Sequence, residues 1–251
     1  MKFSIVTVCF NAEAVVRAAM QSLERQTCPD YEWIVVDGAS TDRTLDIVRE
    51  FRGQRLRLVS EPDKGIYDAM NKAVGMARGD YLFFLNADDE LADAEVLRGV
   101  SHDLERAPAD LLVGRIVHVV GERRVLRDFS HLSRRALMMD SLCHQATFAR
   151  REWFGKIGLF DLNYRIAADY DWFLRSFDAG AKVEFSERLV CRFRGDGAHH
   201  QAAERTRIEI AAVRSKHAGA LGAWGFGLWR QVRHYARRLT GRAPRGHHLQ
   251  R

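Results

Sequence analysis

The sequence predicts an α/β fold built on a mostly parallel, Rossmann-like sheet with helices on both faces. Three observations carry that expectation. Short apolar, β-branched runs recur, as in strands buried on both faces. Segments with helical spacing alternate with them, joined by short loops. Each of the apolar runs ends in polar or acidic residues.

Taken in order, Phe3–Phe10 is the first strand, and Asn11 stands where it can cap the helix that follows. Val15, Val16, Ala19, Met20 and Leu23 give a helix over about 12–26. Trp33–Val36 is a second strand ending at Asp37, and residues 38–42 form a turn supplying helix caps. Thr44–Phe51 is helical and Leu56–Val59 is a third strand. Ile66–Ala77 is helical, and Tyr81–Leu85 is a fourth strand that runs out at Asn86-Ala87-Asp88-Asp89. Beyond residue 108 the alternation weakens. Leu111–Val120 and Arg124–Phe129 read as a hairpin turning at Gly121-Glu122, and Leu142–Ala149 as an extended segment. Asp169–Phe177 is a helix, Val183–Phe185 and Val190–Phe193 are short strands, and Ala202–His217 and Trp224–Leu239 are helices. Ligands of such sheets bind at the C-terminal strand ends. Here those ends are Phe10-Asn11, Asp37, Ser60–Lys64 and Asn86–Asp89.

The composition excludes several classes. The chain has 251 residues, 47% hydrophobic and 29% charged, which is ordinary for a globular protein. Its net charge of +6 is uneven. Residues 210–251 hold nine Lys/Arg and no Asp or Glu, leaving 30 basic and 33 acidic residues before them. A near-neutral body with a basic tail argues against nucleic acid as the partner. Cys9, Cys28, Cys143 and Cys191 form no CxxC pair and no zinc spacing, so reduced thiols are expected. The apolar start is about eight residues with no small-residue cleavage site after it, which favours a strand over a signal peptide. No run reaches the ~18 apolar residues of a spanning helix.

Three clusters carry chemistry. Asn86-Ala87-Asp88-Asp89 offers oxygen ligands suited to a hard divalent cation shared with phosphates. It also reads as an Asn/Asp turn capping a helix. Asp169 and Asp171 open a helix, where one could be a general base or both could complement the helix dipole. In Glu61–Asn71, Asp63 and Lys64 place both charges at the sheet mouth, while Asp68 and Asn71 share a helix face. A solvated loop explains the same residues. No GxxxxGK[ST], GxGxxG or GxSxG is present, which argues against Walker-type, dinucleotide and hydrolase-elbow chemistry.

Together SIVTVCFNAEAVVRAAMQSLERQT, WIVVDGASTDRTLDIV, SEPDKGIYDAMNKAVGMARGDYLFFLNADD, CHQATFARREWFGKIGLFD and YRIAADYDWFLR resemble glycosyltransferase family 2, the inverting GT-A type, in its bacterial polysaccharide branch. The likeness covers roughly 3–195. It implies a GT-A catalytic domain over 1–200, with a nucleotide-sugar half (1–107) and an acceptor half (108–200). A basic, aromatic helical segment follows over 201–251. It implies donor contacts from Thr7, Phe10, Asn11, Glu13, Asp37, Asp63 and Lys64. Asn86-Ala87-Asp88 takes the place of the DXD motif, with Asp88 as the direct ligand of Mg²⁺ or Mn²⁺, Asn86 a weaker one, and His199 a further candidate. Asp169 matches the catalytic aspartate, and His144 and Gln145 a motif near the acceptor. Ala168 stands where the family has Glu, and Asp171 is the substitute acceptor contact. The implied donor is a nucleoside-diphosphate sugar, with UDP favoured, and the acceptor a glycan or lipid-linked oligosaccharide. A cytoplasmic enzyme follows, with 218–251 as a candidate contact to the inner membrane face. A nucleotidyltransferase and a non-catalytic sugar-binding relative are the alternatives. The first lacks its basic, Gly-rich phosphate loop here, and the second would be expected to lose Asp88 or Asp169.

Overall fold

A computed structural model describes residues 1–194 and 204–218. Four parallel strands form one half of the sheet: β1 (Phe3–Cys9), β2 (Tyr31–Asp37), β3 (Arg55–Ser60) and β4 (Tyr81–Phe84). They stand in the order β3-β2-β1-β4, with β1 central and β3 at the edge. β1, β2 and β4 are buried along their whole length, while β3 is only partly covered. Continuous apolar runs therefore mark the inner strands. Helices α1 (Val16–Glu24), α2 (Thr44–Arg49) and α3 (Ile66–Met76) connect them.

The second half contains β5 (Glu90–Leu91), α4 (Val96–Arg106), β6 (Leu111–Val120), β7 (Arg123–Arg127) and α5 (Arg134–Leu137). A 3-10 turn (His144–Ala146), β8 (Thr147–Arg150), α6 (Arg151–Ile157), α7 (Ala168–Asp178) and β9 (Val183–Arg194) follow. Residues 204–218 form the helix α8. The sheet continues as β4-β8-β6-β9-β5, with β7 on β6. β8 runs antiparallel to both β4 and β6, and β6 is parallel to β9. Phe83 of β4 stacks on Phe148 of β8 at 4.3 Å, packing the join between the two halves.

The α/β expectation holds, with five differences of detail. The first helix begins at Val16 rather than about 12. Asn11 has φ 46 and its side chain accepts the Thr41 N–H, so it stitches two loops instead of capping. Residues 144–146 turn inward, so only the end of Leu142–Ala149 is extended. The two short strands over 183–193 are one strand, β9, whose register against β6 shifts around Arg115. The short elements β5, α5 and α6, and the helix α4, are additional. The expected helix Trp224–Leu239 lies outside the described residues.

Candidate active site

The C-terminal strand ends surround a cleft of about 780 Å³. β1 contributes Cys9, Phe10 and Asn11, β2 leads to Gly38, β3 to Pro62, Asp63 and Gly65, and β4 to Asn86, Ala87 and Asp88. Phe193 and Arg194 of β9 close it from the other half. This is the location expected for a ligand of a parallel sheet. Phe10 is 63% exposed there and presents a flat apolar face.

The loops of the cleft are fastened by their own backbone. The N–H of Asn11 donates to Ser40 Oγ (2.8 Å), and Asn11 Oδ1 accepts from Thr41 (2.9 Å). Glu13 accepts from the Arg43 N–H at 2.9 Å and does not line the cleft. Asp63 accepts the Gly65 N–H at 2.7 Å, closing a turn in which Gly65 has φ 118. A Cβ on Gly38 would stand 2.7 Å from Asp63 Oδ2, so a larger residue there would push that carboxylate aside. Lys64 is exposed beside the cleft, and its N–H donates to Asp68 Oδ2 at 3.0 Å. Asn71 pairs both ways with the backbone of Phe160, fixing α3 to the segment before α7.

Two of the expected donor contacts are buried below the cleft. Thr7 is fully buried, and its hydroxyl accepts from the Trp33 indole at 2.9 Å. Asp37 is also fully buried. Its carboxylate accepts from the Ser40 N–H (2.9 Å), the Ser40 hydroxyl and Ser60 Oγ (2.7 Å). Burial pushes its carboxyl up, and these bonds outweigh burial to hold it below the ordinary value. Both residues shape the floor and do not reach the cleft surface.

At the end of β4, Asn86 Oδ1 is buried with no hydrogen-bond partner among the described residues. Asp88 lines the cleft, half-buried. An orphaned amide oxygen next to a carboxylate suits a hard divalent ion. Among the described residues no three His, Cys, Asp or Glu side chains converge as a metal cage. The donor set therefore fits an ion completed by substrate oxygens. Asp89 points away and is fully buried. Burial and the neighbouring Asp88 charge raise its pKa well above the ordinary value, against the Arg194 N–H at 3.0 Å and the Gln145 amide. Gln145 is thus placed against Asp89. His199 lies outside the described residues.

Beside the cleft, α7 presents Asp169. Its Oδ2 meets His144 Nδ1 at 3.0 Å, and its Oδ1 accepts from the Tyr67 hydroxyl (2.9 Å) and the Tyr170 N–H (2.8 Å). Tyr67 sits on α3, whose Ile66 and Ala69 line the cleft. Burial raises the Asp169 carboxyl. The His144 bond and charge, then Tyr67 and the Tyr170 amide, overcome it and leave the carboxyl below its ordinary value. An ionised Asp169 requires the proton of His144 on Nδ1. His144 Nε2 is buried and has no partner among the described residues. Asp169 and His144 were both expected at the site; Tyr67 and Arg194 were not. Tyr67 lies within the quoted GIYDAMN segment, but its partner is 102 residues away.

Asp171 does not join them. It is fully buried, bound to Arg175 Nε (2.8 Å) on its own helix and to Lys216 Nζ (2.9 Å) and His217 Nε2 (3.0 Å) on α8. It ties α8 to the body and gives no acceptor contact in this arrangement. Glu209 of α8 adds two bonds, accepting the Ile166 and Ala167 N–H groups at 2.7 and 3.1 Å.

A strand-end cleft with an acidic rim is the arrangement in which open α/β enzymes bind their ligands. Comparison with known proteins sharpens that class. The Glycosyl transferase family 2 model matches residues 4–161. A PGL/p-HBAD biosynthesis glycosyltransferase of Mycobacterium bovis is 42% identical over 185 residues, 72% of each chain. A poly(ribitol-phosphate) beta-glucosyltransferase of Bacillus spizizenii is 32% identical over 127 residues, 48% of this chain and 20% of that one. Among solved structures, S. aureus TarS 1–349 with UDP-GlcNAc superposes with TM-score 0.71 at 22% identity, covering 85% of this chain and 66% of that one. A Pyrobaculum calidifontis mannosyltransferase with GDP-Man and Mn²⁺ gives TM-score 0.65, also at 22% identity, over 84% and 63%. The chain belongs to glycosyltransferase family 2. It is a glycosyltransferase with the GT-A fold.

Proposed function

We propose that the protein moves a sugar from a nucleoside-diphosphate sugar, with UDP as the favoured nucleotide, to a hydroxyl of a glycan or lipid-linked acceptor. The names of its relatives point to cell-surface glycan synthesis as the setting. The observation that carries the reading is Asp169. It is a buried carboxylate kept ionised by His144 and Tyr67, beside a cleft shaped by four strand ends.

The chemistry follows from the residues. Phe10 offers its exposed face to a nucleotide base, and Asn11 and Asp63 stand at the same rim. Asp88 and Asn86 would hold Mg²⁺ or Mn²⁺, which supplies positive charge to the diphosphate. Arg194 adds a cation from the opposite wall. Asp169 accepts the proton of the acceptor hydroxyl as that oxygen bonds to the anomeric carbon. The bond to the diphosphate oxygen breaks on the opposite face and its electron pair leaves with the diphosphate. A single displacement inverts the anomeric centre. Tyr67 and His144 Nδ1 fix the carboxylate. A low carboxylate pKa suits a base that takes its proton late, when the attacking oxygen has become acidic.

The test is a donor screen that measures nucleoside-diphosphate release from UDP-, GDP- and dTDP-sugars, with and without EDTA. Release from one of these donors, lost in EDTA and restored by Mg²⁺ or Mn²⁺, is expected. No release from any donor would contradict the reading, and full activity in EDTA would contradict the metal role of Asp88 and Asn86.

A further inference from the structure

A second cleft, also of about 780 Å³, opens on the other half of the sheet. It is lined by Val117, Val119 and Leu189 below and by Arg124, Arg192 and Arg194 around them. The strand register explains why they meet. Val119 of β6 is paired with Arg124 of β7 on one side and Arg194 of β9 on the other. Val117 is paired with Arg192, which is paired in turn with Glu90 of β5. Directly paired residues share a sheet face. Three arginines and one glutamate therefore project from the same face over an aliphatic floor.

This arrangement is electrostatically unbalanced. Arg194 meets Glu90 at 3.3 Å. Among the described residues, Arg124 and Arg192 meet no carboxylate. Like charges in neighbouring rows of a sheet repel, and among the described residues the groove holds more cations than carboxylates. Arg192 and Arg194 are separated by roughly 7 Å along β9, and Arg124 lies two strands away, roughly 10 Å from Arg194. The cations are spread along a groove rather than gathered at one point. Of the residues outside the described ones, 219–251 contain no Asp or Glu and 195–203 contain one, Asp196.

Arg194 also lines the first cleft. The positive groove therefore opens directly beside the position assigned to the donor. We infer that this groove is an acceptor subsite, and that it holds an extended acceptor chain bearing phosphate groups at intervals. Guanidinium forks bind phosphate oxygens, and the aliphatic floor packs against the carbon skeleton between them. The inference rests on the glycosyl-transfer reading for its direction, since the groove shares Arg194 with the cleft that Asp88 lines.

The experiment uses the full chain and three probes. These are a short poly(glycerol phosphate) oligomer, an uncharged maltooligosaccharide of similar length, and vesicles containing anionic phospholipid. Binding is measured by calorimetry for the wild type, Arg124→Gln, Arg124→Lys and the Arg124→Gln/Arg192→Gln pair. Arg194 is left intact because it also faces the donor cleft. The phosphate oligomer should bind and the uncharged one should not. Each Arg→Gln change should weaken binding about tenfold, and Arg124→Lys should retain most of it. UDP affinity should match in all four proteins, which also establishes that they are folded. Equal binding of the oligomer by the wild type and the double variant would overturn the proposal. So would binding to vesicles alone. If the wild type binds the oligomer through these arginines but releases no nucleoside diphosphate from any donor, the transferase reading fails and the anion groove stands.

Discussion

Asp169 and Asp171 sit two residues apart in the first turn of α7. Both are buried, and both have their carboxyl held below the ordinary value. Their surroundings differ in kind. Two helical residues are separated by roughly 200° around the axis, so the pair faces opposite ways. Asp169 is held by a phenol, an amide and an imidazole, and sits beside the cleft. Asp171 is held by Arg175, Lys216 and His217, away from the cleft. A carboxylate locked by an arginine, a lysine and an imidazole has little tendency to accept a proton. A carboxylate bonded mainly by neutral donors, beside an open cleft, can do so. The contrast shows how one helix turn carries a chemical group on one side and an anchor for α8 on the other.

Three substitutions break or sharpen that contrast. Asp169→Asn keeps the shape and removes the base. Transfer should fall about 10³-fold in an initial-rate assay, with the melting temperature little changed. Asp171→Asn should do the reverse. It removes the charge of a buried acceptor shared by Arg175, Lys216 and His217, and should cost about 2 kcal/mol, a melting drop of roughly 6 °C. Transfer per folded molecule should stay within a few-fold. The pH dependence has a definite sign. The Asp171 carboxyl is lowered by folding, so its contribution to stability is present above the ordinary carboxylate value of 3.8 and is lost as pH falls below it. Acid melts of wild type and Asp171→Asn should therefore converge below that pH. The smallest effect is expected for Tyr67→Phe, which removes one of the bonds to Asp169. Transfer should drop about tenfold and UDP affinity should not move.

The first half of the sheet was legible in the sequence because its signals are local. FSIVTVC, WIVV and YLFF are continuous apolar strands, and the polar residues after them fall at the mouth of the cleft. Burial of Thr7 and Asp37 was not legible in the same way. Residue type and position placed them near the ligand, while Trp33 and the hydroxyls of Ser40 and Ser60 occupy their polar atoms. The second half depends on contacts that no local pattern encodes. Tyr67 reaches Asp169 across 102 residues, and Glu209 bonds Ile166 across 43. The two short strands read over 183–193 are one strand because β6 pairs with it throughout, with a shift at Arg115 that hides the period. The basic tail drew attention to residues 210–251. Within the described body, the concentrated positive charge lies instead at Arg124, Arg192 and Arg194, scattered in sequence and joined only by the sheet.

The division of labour between the two aspartates is tested most directly by titrating UDP into Asp169→Asn and Asp171→Asn and measuring sugar transfer on the same preparations. Both variants should bind UDP with wild-type affinity, and only Asp169→Asn should lose transfer. Loss of UDP binding by Asp169→Asn equal to its loss of transfer, or equal loss of transfer by the two variants at matched folded fraction, would contradict the assignment of Asp169 as the base.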